Sequence, residues 1–327
     1  MSQLRLDPLT GRWVVIAADR AERPQPFAGR SLAVEDDPSR PCPFCPGNEE
    51  ATPPALETYG AEGDWLVRVV PNLYPAFSGN ETLSVRNIGP VFTQAPASGI
   101  HEVLVFSPDH VRTWAELSDS QAGLVMGAIR DRVEEHSRVR GLRYTQFLAN
   151  SGREAGASVE HPHGQLLGIP FVPGEIVDEQ AGFGRFAGAC LLCTTVDAEE
   201  DAGHRLVQAD DRVAVVAPFW SSSPYEMLVI PRAHEPHLHH AGQEDVTAMG
   251  RAVRDALVRL RGAVGDVAYN VVLHCAPFRA PGEFHWHVHL HPTVTTRAGF
   301  ELGTGVNINV LPPEIAAAEL RAVSISA

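Results

Sequence analysis

The sequence is organised around one stretch, Asn150-Ser-Gly-Arg-Glu-Ala-Gly-Ala-Ser158-Val-Glu-His161-Pro-His163-Gly-Gln165. His161 and His163 lie two residues apart, so an extended backbone places both rings on one face, which Gln165 continues. An imidazole beside neutral hydrogen-bond donors suits attack on a phosphorus atom, whereas a histidine-rich turn that ligates a metal is the alternative. We assign these roles to different residues, His161 as metal ligand and His163 as nucleophile. Gln165, Ser158 and the backbone amides near Gly156 are the predicted donors to phosphate.

The composition indicates one large globular domain or two of ordinary size. The chain has 327 residues, of which 44% are hydrophobic and 20% are charged. A net charge of −14 argues against a nucleic-acid binder, which needs a basic surface. The sequence contains no signal-peptide core and no run of about 18 apolar residues. We therefore expect a cytoplasmic protein that does not bind membranes.

The chain contains no lysine, because all 26 basic residues are arginine. This excludes a Walker-type lysine, a lysine Schiff base and a lysyl–nucleotide intermediate. If phosphoryl transfer proceeds through a covalent intermediate, histidine is the expected carrier.

Cysteine and histidine spacings indicate an internal duplication. Cys-x-x-Cys occurs at Cys42 and again at Cys190, and the intervals His110 to His161 and His234 to His285 are both 51 residues. Each interval contains one predicted helix and one predicted strand. The sequence therefore predicts an α+β fold built from a duplicated unit, with an antiparallel sheet and helices packed on it. We expect the halves to span residues 1–175 and 176–327.

Duplication predicts two zinc ions per chain, each held by two cysteines and two histidines. The first predicted set is Cys42, Cys45, His110 and His161, and the second is Cys190, Cys193, His234 and His285. A thioredoxin-like redox motif is the alternative for either pair. We consider it weaker because neither pair is expected to open a helix after a strand.

Two further groups leave alternatives open. Arg20 and Arg23 could clamp a phosphate with their planar guanidinium groups, or could belong to a solvated turn. Alternate histidines on the last histidine-rich strand could form another metal cluster, or could line a pocket and pack in the interior. These histidines are His287, His289 and His291, with His274 nearby in the sequence.

The chain resembles the galactose-1-phosphate uridylyltransferase family, a branch of the histidine-triad superfamily. The resemblance covers nearly the whole chain, and its most specific part is His161-Pro-His163-Gly-Gln165. Other matching elements are the arginines at 20 and 23, Cys42-x-x-Cys45, Pro71-Asn72, Ser107-Pro-Asp-His110, His274-x-Ala-Pro-Phe278, His285-Trp286 and Gly299-Phe-Glu301.

The resemblance implies a ping-pong reaction in a homodimer. UDP-glucose would transfer its uridylyl group to His163 and release glucose 1-phosphate, and galactose 1-phosphate would then accept that group. The implied phosphate-binding residues are Arg20, Arg23, Asn150, Ser158 and Gln165. The implied ribose residue is Asn72, and the implied hexose residues are Phe300, Glu301 and Asn307.

Some positions depart from the family pattern. Asn72 is followed by Leu73 where many members have aspartate, and Asn307 stands where glutamine is frequent. The sequence Ala155-Gly-Ala-Ser158 and the second Cys-x-x-Cys motif are similar to those of the ADP-glucose phosphorylase branch, which uses phosphate as acceptor. A non-catalytic module that binds zinc and nucleotides is the alternative from a different class.

Overall fold

The computed structural model describes residues 2–22, 41–61, 63–280 and 282–325. Its strands are β1 (Gln3–Leu6), β2 (Trp13–Ile16), β3 (Glu57–Ala61), β4 (Asp64–Pro71), β5 (Arg86–Asn87), β6 (Thr93–Gln94), β7 (Ile100–Val105), β8 (Tyr144–Ser151), β9 (His163–Ile169), β10 (Leu206–Ala209), β11 (Val213–Val216), β12 (Met227–Pro231), β13 (Tyr269–His274), β14 (His287–Pro292) and β15 (Asn307–Asn309). Its helices are α1 (Asp119–Arg138), α2 (Gly174–Arg185), α3 (Leu191–Ala202), α4 (Gln243–Val264), α5 (Gly299–Thr304) and α6 (Pro313–Ala322).

Ten strands form one antiparallel sheet, in the order β10-β11-β12-β14-β13-β8-β9-β7-β4-β3. The pairing of β13 with β8 joins the two halves of the chain, with Val271 opposite Ala149. Reading from either edge to this centre, the two halves have equivalent strand orders, β3-β4-β7-β9-β8 and β10-β11-β12-β14-β13. This confirms the predicted α+β fold with a duplicated unit and an antiparallel sheet.

Helices α1 and α4 occupy equivalent places in the two halves and pack against each other on the sheet. Helix α1 begins after Ser118, whose hydroxyl accepts from the backbone N–H of Gln121 and so caps the first turn. The two helices cross closely, because a Cβ added to Gly250 would lie 2.2 Å from the carbonyl oxygen of Ala122. Apolar side chains such as Val125 fill the space between helices and sheet, and each contributes about 1.5–3 kcal/mol through burial.

A second, three-stranded sheet brings the two ends of the described chain together. β2 pairs with β1 in antiparallel fashion and with β15 in parallel, so that Asn307 lies opposite Val14. The buried amide of Asn309 donates to the carbonyls of Ser221 and Ser223, which fixes this sheet to the second half. Among the described helices, none combines the length and the apolar character needed to cross a bilayer.

Candidate active site and metal centres

His163 is the first residue of β9, and its ring is hydrogen-bonded to the backbone two residues earlier. Its Nδ1 lies 2.8 Å from the carbonyl oxygen of His161. Because a carbonyl oxygen only accepts, Nδ1 carries the proton and the lone pair of Nε2 is available to a substrate. Burial lowers the pKa of His163, and the hydrogen bond to the carbonyl opposes this shift only in part. The ring also packs on Phe44, with centroids 5.3 Å apart. This is a neutral, oriented imidazole.

The loop before His163 is fixed from the second half of the chain. Asn270 on β13 donates from its amide nitrogen to Asn150 Oδ1 and to the carbonyl of Ala155, both at 2.8 Å. Gly156 has a φ of +90°, and a Cβ there would lie 3.5 Å from Asn150 Nδ2. Asn150 therefore presents its amide nitrogen toward the glycine turn, where a phosphate oxygen could accept.

Asn150 and His163 both line a cavity of about 260 Å³ beside this loop. Ser158 lies on the same loop but is exposed, with neighbours Ala157 and Val159 forming the cavity wall. Gly164 allows β8 to approach β9, because a Cβ there would lie 2.5 Å from the ring of Phe147.

Gln165 shares the strand face of His163, as the two-residue spacing predicts. Its Oε1 lies 2.8 Å from Nε2 of His101 on β7. Asn72, at the end of β4, also contacts this histidine, with Nδ2 3.2 Å from the same Nε2. The structure therefore brings Asn72 and Gln165 together through a residue that the motifs do not include.

The predicted hexose residues do not line the cavity that contains His163. Arg20, Glu301 and Asn307 line a cleft of about 950 Å³ on the second half, whereas His163 lines the cavity described above. Phe300, on α5, is half exposed. Arg23 lies outside the described residues, so only Arg20 of the arginine pair has a place in the structure.

The first cysteine–histidine set converges as the spacing predicts. Cys42, Cys45, His110 and His161 place one ligand atom each within 4.8 Å of one another. The Sγ–Nδ1 distances are 3.2 Å for Cys45 with His110, 3.6 Å for Cys45 with His161 and 3.7 Å for Cys42 with His161. A tetrahedral zinc ion with ordinary bond lengths requires about 3.6 Å between sulfur and nitrogen. The geometry of these four residues therefore fits a tetrahedral zinc ion.

The buried ligand His161 also has the correct tautomer for a metal. Its Nε2 lies 2.8 Å from the carbonyl oxygen of Ser107, so Nε2 donates and the Nδ1 lone pair faces the thiols. Burial lowers the pKa of His161 and so favours the neutral ring that a metal needs.

The second set repeats this geometry. Cys190, Cys193, His234 and His285 also place their ligand atoms within 4.8 Å of one another. The Sγ–Nδ1 distances are 3.4 Å for Cys190 with His285, 3.5 Å for Cys193 with His285 and 3.9 Å for Cys193 with His234. In both sets a glutamate lies beside the more exposed histidine. Nε2 of His110 lies 3.8 Å from Glu160, and Nε2 of His234 lies 3.9 Å from Glu283.

The expectation that neither cysteine pair opens a helix after a strand needs a qualification. Cys190 is the N-cap of α3, although α3 follows α2 rather than a strand. A helix N-terminus usually lowers a thiol pKa, and redox pairs depend on that effect. Here burial, reinforced by the neighbouring Cys190, raises the pKa of Cys193 to about 12. The raised pKa disfavours the Cys193 thiolate that redox exchange at this residue would need.

A third cluster contains three of the four histidines whose role the sequence left open. Glu179 of α2 meets His274, His287 and His289, all buried, with ligand atoms within 4.8 Å of one another. Glu179 Oε1 lies 2.8 Å from Nδ1 of His274, and the Nε2 atoms of His287 and His289 are 2.9 Å apart. Burial opposes ionisation of Glu179, but His274 and His287 hold its pKa well below its ordinary value. This set could hold a divalent cation, whereas His291 lines the cleft instead.

The sequence motifs did not identify His101, Asn270 or Glu179. Each is brought to the site by a strand or helix distant in sequence from its partners, and no local spacing marks it.

Comparison with known proteins gives the family. A model of the galactose-1-phosphate uridyl transferase N-terminal domain matches residues 1–173, and one of the C-terminal domain matches residues 176–323. The ADP-glucose phosphorylase of Arabidopsis thaliana is 30% identical over 99% of this chain and 93% of its own length. The galactose-1-phosphate uridylyltransferase of Haemophilus influenzae is 27% identical over 98% of this chain and 94% of its own length.

A solved structure gives the same result. The crystal structure of an ADP-glucose phosphorylase from Arabidopsis thaliana with bound ADP-glucose superposes with a TM-score of 0.87, at 30% identity, covering 100% of both chains. Since the two domain models together span nearly all of the sequence, the chain belongs to the galactose-1-phosphate uridyl transferase family.

Proposed function

We propose that this chain is a nucleotidyltransferase that forms a covalent nucleotidyl intermediate on His163. The observation that carries the proposal is the 2.8 Å hydrogen bond from His163 Nδ1 to the His161 carbonyl, which leaves Nε2 unprotonated. Such a nitrogen can attack phosphorus without a separate base. Membership of the family supports this reading.

In the first step Nε2 of His163 attacks the α-phosphorus of UDP-glucose. The N–P bond forms as the bond from α-phosphorus to the bridging oxygen breaks, and glucose 1-phosphate leaves. In the second step a phosphate oxygen of galactose 1-phosphate attacks the same phosphorus and the N–P bond breaks, which gives UDP-galactose. Asn150, Gln165, Ser158 and the amides near Gly156 would donate to the phosphoryl oxygens, where each such donor contributes about 3 kcal/mol.

A phosphorylase of the ADP-glucose type is the second candidate. It uses the same histidine but passes the nucleotidyl group to inorganic phosphate. The 30% identity to the Arabidopsis ADP-glucose phosphorylase and the presence of the second cysteine pair favour it.

We further propose that zinc fills both cysteine–histidine sets, two ions per chain. Four protein ligands close each site, so the ion would order the surrounding loops and would not bind substrate. At the first site this ordering extends to the His161 carbonyl, which holds His163. A metal analysis with fewer than two zinc ions per chain after saturation would contradict this part of the proposal.

We propose a homodimer in which Arg20, Glu301 and Asn307 serve the partner's histidine. The support is that these residues line a cleft that His163 does not share within one chain. Co-expressing His163→Ala chains with Arg20→Ala chains would form mixed dimers with one complete site. Activity of the mixture well above the sum of the two single variants is expected, and activity no higher than that sum contradicts the shared site.

A matrix of donors and acceptors tests the activity itself. UDP-, ADP- and GDP-glucose are each incubated with the protein, and the intact mass is measured for an added nucleotidyl group. Galactose 1-phosphate or inorganic phosphate is then added, and the acceptor that removes the group identifies the reaction. His163→Ala should form no adduct with any donor. An adduct of wild-type yield in that variant would overturn the mechanism, and its absence in the wild type would leave the non-catalytic module.

A further inference from the structure

We propose that His101 is a positioning residue that holds the Gln165 amide with its nitrogen directed at the substrate phosphate. This inference deepens the proposed function and rests on it. His101 lies on β7 and Gln165 on β9, where the register places His101 opposite Leu167. Gln165 is therefore the diagonal neighbour of His101 on the same sheet face, within reach of a long side chain.

A backbone donor decides the tautomer of His101. The N–H of Ala76 donates to His101 Nδ1 over 3.0 Å. Because a backbone N–H is always a donor, Nδ1 must be the unprotonated nitrogen of the neutral ring. The proton of His101 therefore lies on Nε2.

This proton in turn decides the orientation of Gln165. The side-chain atom of Gln165 at 2.8 Å from His101 Nε2 must be an acceptor, so it is Oε1. The amide nitrogen is then the group left to face the open side of β9, which His163 shares. Within residues 2–22, 41–61, 63–280 and 282–325, no side chain or carbonyl accepts from that nitrogen. A reversed amide would present oxygen to a phosphate and would repel it.

Asn72 does not compete for this arrangement. Its Oδ1 accepts from the backbone N–H of Tyr74 over 2.8 Å, so its orientation is also fixed by a backbone donor. Asn72 Nδ2 lies 3.2 Å from His101 Nε2, but both atoms carry hydrogens and the contact is not a hydrogen bond. The backbone N–H of Asn72 donates to the His101 carbonyl over 2.8 Å. His101 thus sits between the proposed ribose residue and the proposed phosphate residue and orders both.

Two substitutions separate the donor from the rest of the ring. In His101→Gln the side-chain amide reaches the position of Nε2 and can still donate to Gln165. In His101→Asn the side chain can accept from Ala76 but is too short to reach Gln165. His204→Asn, at an exposed position on the second half, is the matched control for a histidine-to-asparagine change.

The assay is the rate of adduct formation on His163 with the nucleotide sugar that labels the wild-type protein. His101→Asn should slow this rate about 10-fold, while His101→Gln stays within about 3-fold and His204→Asn is unchanged. Gln165→Ala should lose about 100-fold, as expected for one oriented donor. The double variant His101→Asn with Gln165→Ala should match Gln165→Ala, because the two residues act as one unit.

Losses that multiply in the double variant would overturn the positioning role, as would a wild-type rate in folded His101→Asn. Equal losses in His101→Gln and His101→Asn would also overturn it, because they would point to packing instead of the donor. If the wild-type chain forms no adduct with any nucleotide sugar, the proposed function fails and the role of His101 fails with it. An adduct in the wild type with no effect at His101 rejects the positioning role alone.

Discussion

Replacing His110 and His234 by alanine, one at a time, separates the cysteine–histidine set that adjoins His163 from the set that does not. These are the corresponding ligands of the two cysteine–histidine sets and the more exposed histidine of each, with side chains 30% and 39% exposed. Their loss should therefore disturb packing little. Both variants are expected to fold with three ligands remaining at the altered site.

The expected loss of metal affinity follows from the closed geometry. Structural zinc contributes about 10–16 kcal/mol of apparent free energy over four ligands, so one ligand accounts for about 3 kcal/mol, or about 100-fold in affinity. The Sγ–Nδ1 distances, 3.2 Å for Cys45 with His110 and 3.9 Å for Cys193 with His234, lie on either side of the distance of about 3.6 Å that a tetrahedral zinc ion requires. Zinc retention after dialysis against a chelator should therefore fall by one ion per chain in each variant.

The two variants should differ in chemistry. The carbonyl that accepts from His163 Nδ1 belongs to His161, a ligand of the first set, whereas His285 of the second set holds His287 in the same way. A misplaced reacting group commonly costs up to about 100-fold in rate. We expect His110→Ala to slow adduct formation on His163 by about 10- to 100-fold, and His234→Ala to slow it less than about 3-fold.

Adduct formation is followed by intact mass at fixed donor concentration, and zinc by elemental analysis of the same samples. An equal rate loss in both variants would refute the reasoning, because it would mean that metal loss acts through general stability. A zinc-depleted His110→Ala protein that reacts at the wild-type rate would refute the coupling between metal and nucleophile.

Three further outcomes follow from titratable groups. Because burial lowers the pKa of His163 below its ordinary value of 6.5, the rate of adduct formation should reach half of its maximum below pH 6.5; a half-maximal rate at pH 6.5 or above would contradict this. Buried Glu102 pairs with Arg132 at 2.7 Å, and Arg132 also pairs with Glu57 at 2.8 Å, so Glu102→Gln leaves Arg132 with one carboxylate and should lower the free energy of unfolding by about 1–2 kcal/mol in urea titrations at neutral pH. Burial raises the pKa of Asp7 from 3.8 to about 6, so the stability that its protonated form contributes is fully present below pH 3.8 and is lost as the pH rises through 6. Asp7→Asn should therefore unfold at higher urea than the wild type at pH 7.5, with little difference at pH 4, and a pH-independent difference would refute the assignment.

The duplicated core could be predicted from the sequence because its signals are local. The capping residue Ser118, the apolar period of α1 and the alternation of β14 are each readable within a window of a few residues. The two cysteine–histidine sets were predicted from distant residues only because the chain contains the pattern twice. Equal spacing in two copies supplies the long-range information that one copy lacks.

Elements with weak local patterns were missed. Residues 57–61 have no clear apolar alternation, yet Glu57–Ala61 forms β3 at the edge of the sheet. Its side chains are polar or small and mostly exposed, so backbone pairing with β4 determines the strand and periodicity does not show it. Site residues could be predicted where a motif marks them, whereas the contacts of His101 and Asn270 with them follow only from strand register.

The same hydrogen bond, from a histidine ring to a backbone carbonyl, has different consequences in the two halves. His163 and His287 each donate from Nδ1 to the carbonyl two residues earlier, at 2.8 Å in both cases. His163 is partly exposed and lines a cavity, whereas His287 is fully buried beside Glu179. Duplication therefore gives each half one histidine ring oriented by the backbone. The element that packs over the ring differs between the halves and determines whether an anion can approach it. Because α2 places a carboxylate over the second imidazole, a substrate phosphate would meet negative charge there, and the first imidazole is left as the one that can react with an anionic substrate.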